Sequence, residues 1–245
     1  MITGIDVEYL KHSGSDLDVV NAAKVSHDAE SELEMACTGC GKVYDGSNCG
    51  EGPCGFRGRL SDRDRGLIDF LARNKHKSPF NHTWIKFRVK APIFVARQLV
   101  KHEYLPWNEV SRRYVKDGIE FYMPEYDDWR RQMPSVKQGS GGPLDPFTAR
   151  QVKARYKEAI ASCKSAYEAM IRAGLCREQA RMVLPQSMVT SWIWSGTIYA
   201  FAKMAELRLD SHAQAESGYV AEPILRNLRE FFPVSTEALL KHGIN

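Results

Sequence analysis

The sequence predicts an α+β fold in which helices dominate, with one small antiparallel sheet and a Cys-rich insertion near the N-terminus. Three observations carry that expectation. Val152, Tyr156, Ile160, Cys163, Tyr167 and Met170 recur every three or four positions, the period of one helix face. Residues 84–90 alternate apolar with basic side chains, the period of a strand with one buried face. The stretch MACTGCGKVYDGSNCGEGPCGFRGRLS is rich in Gly and Cys and has little periodicity, so it reads as an irregular excursion. The 245 residues are enough for a proper core and are read as one domain over 1–245, with the insertion at 34–58.

Each element follows in chain order. Residues 16–34 read as a short helix and a loop. Ser61 and Asp62 are good N-caps for a helix in DRDRGLIDFLARNKH, where Leu67, Ile68 and Leu71 fall at helical spacing. After the strand in SPFNHTWIKFRVKAP, Pro92 suits a first helical position, so PIFVARQLVKHEY is predicted helical until Pro106 breaks it. DGIEFYMPEYD is predicted as a strand, and RRQMPSVKQGSGGPLDP as a patternless loop. A long helix runs from Thr148 to about Ala173, capped by Gly174. VTSWIWSGTIYAFAKMAELRL is predicted as a second long, buried helix, and a third covers 213–231.

Composition excludes several classes. No run of about 18 apolar residues exists, so no membrane-spanning helix is expected. The N-terminus lacks a basic region followed by an apolar one, so no secretory signal is read and the expected location is cytoplasmic. A net charge of +4 is too weak to argue for nucleic acid. Arg97, Lys101, Arg112, Arg113 and Lys116 nevertheless fall close together, which suits a phosphate-bearing small ligand or, more simply, a solvated basic face.

Four polar stretches punctuate apolar elements: SPFNH, RQLVKHEYLPWNEVSRRY, ARMVLPQ and LRLDSHAQAE. Burying charge is costly without a partner, so several such stretches suggest convergence on one anionic ligand. Ser111 has the look of a nucleophile, yet no His–Asp relay is visible to activate it.

Together and in this order the stretches resemble the flavin-dependent thymidylate synthases. That family carries Arg-His-Arg, seven residues, then Ser; here the positions read Lys101-His102-Glu103, YLPWNEV, Ser111. The flanking RQ, NE, SRRY and EFYMP also fit, and the similarity covers most of residues 16–232 apart from the Cys-rich stretch and 127–147. The resemblance implies transfer of a methylene from methylenetetrahydrofolate to C5 of dUMP, with FAD as cofactor, NADPH as reductant, and a homotetramer whose sites are shared between chains. It implies roles residue by residue. Arg208 would contact the uracil and stabilise charge there, with His82 near the folate and flavin ring. Gln98, Glu109, Ser111, Arg113 and Arg181 would hold dUMP with Arg208. His82, Lys101, His102, Glu103, Lys203 and His212 would meet the flavin.

The pattern also departs. Lys101 keeps a charge but loses the planar fork, and Glu103 reverses the sign. Thr197, Tyr199 and Lys203 stand where the family has Asn, Arg and Asn contacts to FAD. An altered grip on flavin leaves open a 5-hydroxymethyl product, another uridylate as substrate, or a nucleotide-binding protein that has lost its chemistry. Cys37, Cys40, Cys49 and Cys54 form a second departure: CTGCGK resembles a zinc knuckle, and the four thiolates suit structural zinc. The alternative is a reduced, flexible insertion.

Overall fold

A computed structural model describes residues 4–44, 55–115, 118–133 and 139–244. Along the chain the elements are β1 (Asp6–Ser13), α1 (Asp16–Lys24), β2 (Glu34–Cys37), β3 (Phe56–Arg59), α2 (Asp62–Arg73), β4 (Trp84–Pro92), α3 (Ile93–Leu99), β5 (Trp107–Glu109), β6 (Arg130–Gln132), β7 (Ser140–Pro143), α4 (Pro146–Arg172), α5 (Arg177–Ala180), β8 (Val189–Thr197), α6 (Ile198–Arg208), α7 (Ala215–Phe231) and α8 (Pro233–His242). The architecture is α+β, as expected. The chain divides into two compact units, each assembled from three separate segments. None of the described helices is long and apolar enough to cross a membrane.

The first unit takes residues 1–11, 86–196 and 204–224. It is built on a four-stranded sheet of order β1-β4-β8-β5. The alternation in β4 works as the sequence predicts. Phe87, Val89 and Ala91 are fully buried, while Arg88 and Lys90 face outward to Glu8 at 2.8 Å and Glu120 at 2.7 Å. The edge strand β5 runs antiparallel to β8, with Trp107 opposite Trp194 and Glu109 opposite Trp192. Trp107 stacks on Trp192 with centroids 4.1 Å apart.

Helix α4 begins at a proline after Asp145, whose carboxylate accepts from the Thr148 amide at 3.0 Å. It ends as predicted at Gly174, which has a φ of +87°. The Gly174 amide donates to the Ile171 carbonyl and the Leu175 amide to that of Met170, a Schellman cap.

The second unit takes residues 12–85, 197–203 and 225–245. Its core gathers Val19 and Val20 of α1, Ile68 and Leu71 of α2, Phe80, Phe201, Leu228, Phe232 and Leu239. Ser61 caps α2 by accepting from the Asp64 amide at 3.1 Å. The buried Asp64 is in turn paired with Lys24 at 2.7 Å. Burial raises the Asp64 carboxyl, but hydrogen bonds from Lys24, Ser61 and Ser31 outweigh it and leave the group below its ordinary value. Asp16 accepts from the amides of Val234 and Ser235, both at 2.9 Å, and so closes the free N-terminus of α8.

Several expectations change. Residues 189–209 are one strand and one helix, not a single long helix. Trp192 and Trp194 are buried on alternate positions of β8, and the helix begins only at Ile198. β-Branched and aromatic residues crowd the first half of that run, the composition of a strand. Among its described residues DGIEFYMPEYD forms an isolated bridge between Phe121 and Met188 and enters a 3-10 turn at Tyr126 rather than making a strand, and Pro124, which lacks an amide to donate, follows the bridge closely. The patternless 130–146 stretch contains the paired strands β6 and β7. The Cys-rich excursion is bounded by a regular antiparallel pair, from Glu34 opposite Arg59 to Cys37 opposite Phe56. Pro92 ends β4 and precedes α3 rather than opening it, and α3 stops at Leu99. Neither β1 nor α8 was expected.

Candidate active site in the first unit

A cavity of about 800 Å³ opens in the first unit. One wall is the last turn of α3, which carries Arg97 and Gln98, with Phe94 beside them and Lys101 in the turn that follows. Bonded to this wall stand Arg208 at the end of α6 and Gln214 just before α7, with His212, Ala213 and Glu216 alongside. The remaining wall comes from Tyr122, Pro124, Tyr156 and the β6–β7 region with Asp128, Trp129, Arg130, Gly139 and Ser140. Helix α3 is short because its chain must turn at once. Tyr104 takes a φ of +60°, and the chain closes on Gly196 of β8. A Cβ on Gly196 would overlap the Leu105 Cδ2 methyl and lie 3.1 Å from the Tyr104 carbonyl oxygen. That close approach turns the dense polar segment 101–105 back toward β5.

Hydrogen bonds fix the predicted side chains. Arg208 Nε donates to His102 Nε2 at 2.9 Å, and Arg208 Nη2 reaches the Gln98 carbonyl at 3.4 Å. A guanidinium only donates, so His102 accepts at Nε2 and holds its proton on Nδ1. Burial keeps the Arg208 guanidinium below its ordinary value. Gln98 is locked from both ends of its amide: Ser217, fully buried, donates to Oε1 at 2.9 Å, and Nε2 donates to Gln214. His212 is exposed and bonded to Asp210, whose carboxyl the His212 backbone amide and ring hold below its ordinary value.

A second cluster lies at the end of β5 and on the loop after it. The Glu109 carboxylate accepts from Thr190 at 2.8 Å and from the Trp107 indole at 3.1 Å. Ser111 Oγ accepts from the amide and the Nε of Arg113, both at 3.3 Å. Arg177 donates to the Tyr114 carbonyl at 3.1 Å, tying the loop of Arg113 to α5, one turn before Arg181. Arg113 and Arg181 are both exposed. Glu109, Ser111, Arg113 and Arg181 are not among the described residues that line the cavity.

Other expected residues fall elsewhere. His82 is exposed at the end of the 3-10 turn Ser78–His82, and Lys203 is half-buried on α6; both belong to the second unit. Glu103 is exposed beside Tyr104. Thr197 caps α6 by accepting from the Ala200 amide at 3.2 Å, and it bonds Asn81 at 2.8 Å. The Tyr199 hydroxyl donates to the Ile244 carbonyl at 3.2 Å. Both side chains are thus engaged in holding the second unit together. Cys37 is buried, and the Gly39 and Cys40 amides approach its sulfur at 3.3 and 3.5 Å. Cys49 and Cys54 lie outside the described residues. Among the described residues no group of three or more metal-ligating side chains converges.

Residues not singled out from sequence also shape the cavity. Gln214 and Glu216 sit inside a quoted motif, and their spacing from Arg208 was the available signal. Asp128, Trp129 and Arg130 had no signal, because their stretch lacks any period. Tyr122 is buried, and burial together with the carboxylates of Glu216 and Asp128 pushes its phenol above its ordinary value.

The cavity thus combines aromatic walls, the cations Arg97 and Lys101, which have no ion-pair partner among the described residues, and an internally braced arginine, features that suit a flat, anionic ligand. The comparisons with known proteins agree. Residues 8–234 match the model of the family described as "Thymidylate synthase complementing protein". The flavin-dependent thymidylate synthase of Gluconobacter oxydans is 37% identical over 184 residues, 74% of this chain and 61% of the relative. That of Thermotoga neapolitana is 32% identical over 237 residues, 97% of this chain and 91% of the relative. A crystal structure of the UMP/dUMP methylase PolB from Streptomyces cacaoi, bound with 5-Br dUMP, superposes with a TM-score of 0.77 at 32% identity, covering 98% of this chain and 96% of that one. The chain belongs to the thymidylate synthase complementing protein family. It spans less than two thirds of the Gluconobacter relative's length.

Proposed function

We propose that the protein alkylates a uridylate at C5, taking a one-carbon unit from methylenetetrahydrofolate with FAD as cofactor and NADPH as reductant. The observation that carries this reading is the bracing of Arg208 by His102 and Gln98 in the first-unit cavity. A desolvated guanidinium held in one orientation stabilises negative charge developing on the uracil ring. Gln98, with its amide orientation fixed, presents a defined donor and acceptor to the base. Arg113 and Arg181 suit the phosphate, since a guanidinium fork binds a dianion through paired donors.

The cavity fits part of a flavin dinucleotide. Phe94, Trp129 and Tyr156 offer aromatic surface, and Arg97, Lys101 and His212 offer groups for phosphate. Bound there, the flavin supplies the hydride that reduces the transferred carbon. With Thr197 and Tyr199 engaged elsewhere, Lys101, His102 and His212 carry most of the first unit's grip on the flavin.

Two uridylates are in contention. The Gluconobacter and Thermotoga relatives are named thymidylate synthases, which favours dUMP; PolB, named a UMP/dUMP methylase and matched over almost its whole length, favours UMP as well. Incubating the enzyme with each nucleotide, methylenetetrahydrofolate, FAD and NADPH, then weighing the products, decides. A methylated product from either supports the reading, a hydroxymethylated one redirects it, and unchanged nucleotide with flavin bound leaves only a binding protein.

We propose further that the protein assembles as a homotetramer with sites shared between chains. The loop cluster of Ser111, Arg113 and Arg181 does not line its own chain's cavity, and over its 27 residues α4 buries only Ala149 and Tyr167. A second copy would supply the phosphate-binding loop. Mixing the impaired Arg113→Ala and Arg208→Met proteins should then restore activity, whereas sites within one chain would give no gain.

The Cys37–Cys40 turn supports one structural zinc ion, completed from the sequence by Cys49 and Cys54. The Gly39 and Cys40 amides at 3.3 and 3.5 Å from the Cys37 sulfur suit a cysteine that ligates a metal. Elemental analysis of protein prepared without added metal should find about one zinc per chain; a ratio near zero rejects the site.

A further inference from the structure

We infer that Arg130 is a charge-balancing positioning residue: it neutralises Glu216 so that the first-unit cavity accepts an anionic nucleotide. The inference deepens the reading above and rests on it for the identity of that nucleotide. Glu216 lines the same cavity as Arg97, Lys101 and Arg208, and its side chain is only 8% exposed. A carboxylate so placed repels phosphate groups and the negative charge that develops on the uracil, both of which the other three attract. Arg130 Nη2 hydrogen-bonds Glu216 Oε1, while Nη1 lies 3.6 Å from Asp128. Tyr219 donates to Asp128 at 2.7 Å and steadies the assembly. The other Glu216 oxygen is buried without a hydrogen-bond partner, and Arg130 is the one cation paired with Glu216 among the described residues.

The electrostatics agree with a lasting pair. Burial opposes the charge on Arg130, but the attraction of Glu216 and their hydrogen bond outweigh it and raise the group. Arg130 therefore keeps its charge and offsets that of Glu216 in the cavity wall. Its cation comes from β6, in the stretch that the resemblance does not cover, while its anion sits in the first turn of α7, where the helix dipole favours it. Glu216 thus stabilises its helix without spoiling the pocket, provided Arg130 is present.

The test measures binding of dUMP and, separately, of inorganic pyrophosphate by calorimetry. Arg130→Met should weaken both on the order of tenfold, because an adjacent unbalanced charge commonly shifts an equilibrium by about one pK unit. Arg130→Met combined with Glu216→Gln restores the parent's net charge and should return both affinities to within about threefold of the parent, as two mutations of one interacting pair do not add. Arg130→Lys keeps the charge and should also bind nearly as the parent does. If the pair merely anchored the β6–β7 strands, the double variant would bind as weakly as Arg130→Met or worse. That result overturns the inference, as does an Arg130→Met protein with parental affinity. Should Arg130→Met fail to fold, the neutral double variant and Arg130→Lys still decide. If the parent binds pyrophosphate but not dUMP, the uridylate reading falls while the pyrophosphate arm still judges Arg130. A parent that binds neither refutes both.

Discussion

Replacing Arg208 with lysine removes a planar fork and leaves a point charge. In the structure the fork makes two bonds at once, to His102 at 2.9 Å and to the Gln98 carbonyl at 3.4 Å. A hydrogen bond involving a charged group contributes about 1.5–3 kcal/mol. The second bond lies beyond the usual N–H···O range of 2.7–3.2 Å, so it contributes less. Lysine can replace one at most. Losing the other, and the orientation both impose, should lower kcat/KM by roughly 10- to 100-fold, at about 1.4 kcal/mol per tenfold. Methionine removes the charge as well and should reach about 10²–10³. The assay follows release of tritium from C5 of labelled dUMP, since forming a carbon bond there displaces that hydrogen. Circular dichroism checks that the variants fold. A lysine variant within threefold of the parent, or a methionine variant no worse than lysine, refutes the idea that bracing Arg208 matters.

Three further outcomes follow from packing and charge. Gly196→Ala should cost about 1–3 kcal/mol, because its methyl would strike Leu105 and crowd the Tyr104 carbonyl; an unaltered denaturant midpoint would contradict that clash. Asp16→Ala strips two amide bonds from the start of α8 and should cost about 1–3 kcal/mol, read as a lower melting temperature that Asp16→Asn, which keeps an acceptor, partly recovers. The Lys241 and His242 hydrogen bonds hold the Asp69 carboxyl down to about 2 from an ordinary 3.8. Because the folded value is the lower, the stabilisation is present above about pH 4 and lost as pH falls through 2. Asp69→Asn should flatten the melting temperature between those limits, and a slope equal to the parent's would count against the assignment.

Periodicity and caps made much of the fold legible. Six apolar residues and a glycine located α4, and Ser61 located α2. The run 189–209 misled because apolar character alone does not separate a buried strand from a buried helix; only the Val, Thr, Trp and Ile of its first half carried the difference. β1 went unseen because Glu8, Lys11 and His12 mask a weak alternation. Motif order picked out Gln98, Lys101, Arg208 and His212, which line one cavity, and His102, which bonds Arg208. It could not say that Ser111, Arg113 and Arg181 stand apart from that cavity, because distance between loops is set by tertiary packing. Nor could it find Arg130, whose role depends on meeting a carboxylate 86 positions away.

The pairing of Glu34 with Arg59 has a consequence for how such a chain can diversify. Its register brings the entrance and exit of the Cys-rich stretch side by side on β2 and β3. A stretch joined at neighbouring points can lengthen or shorten with little effect on the body that carries it, because closing a loop of doubled length costs only about 0.6 kcal/mol. The hairpin base is therefore a natural graft point. A short turn placed there should leave the second unit's helices intact, and a reporter domain inserted there should fold alongside them.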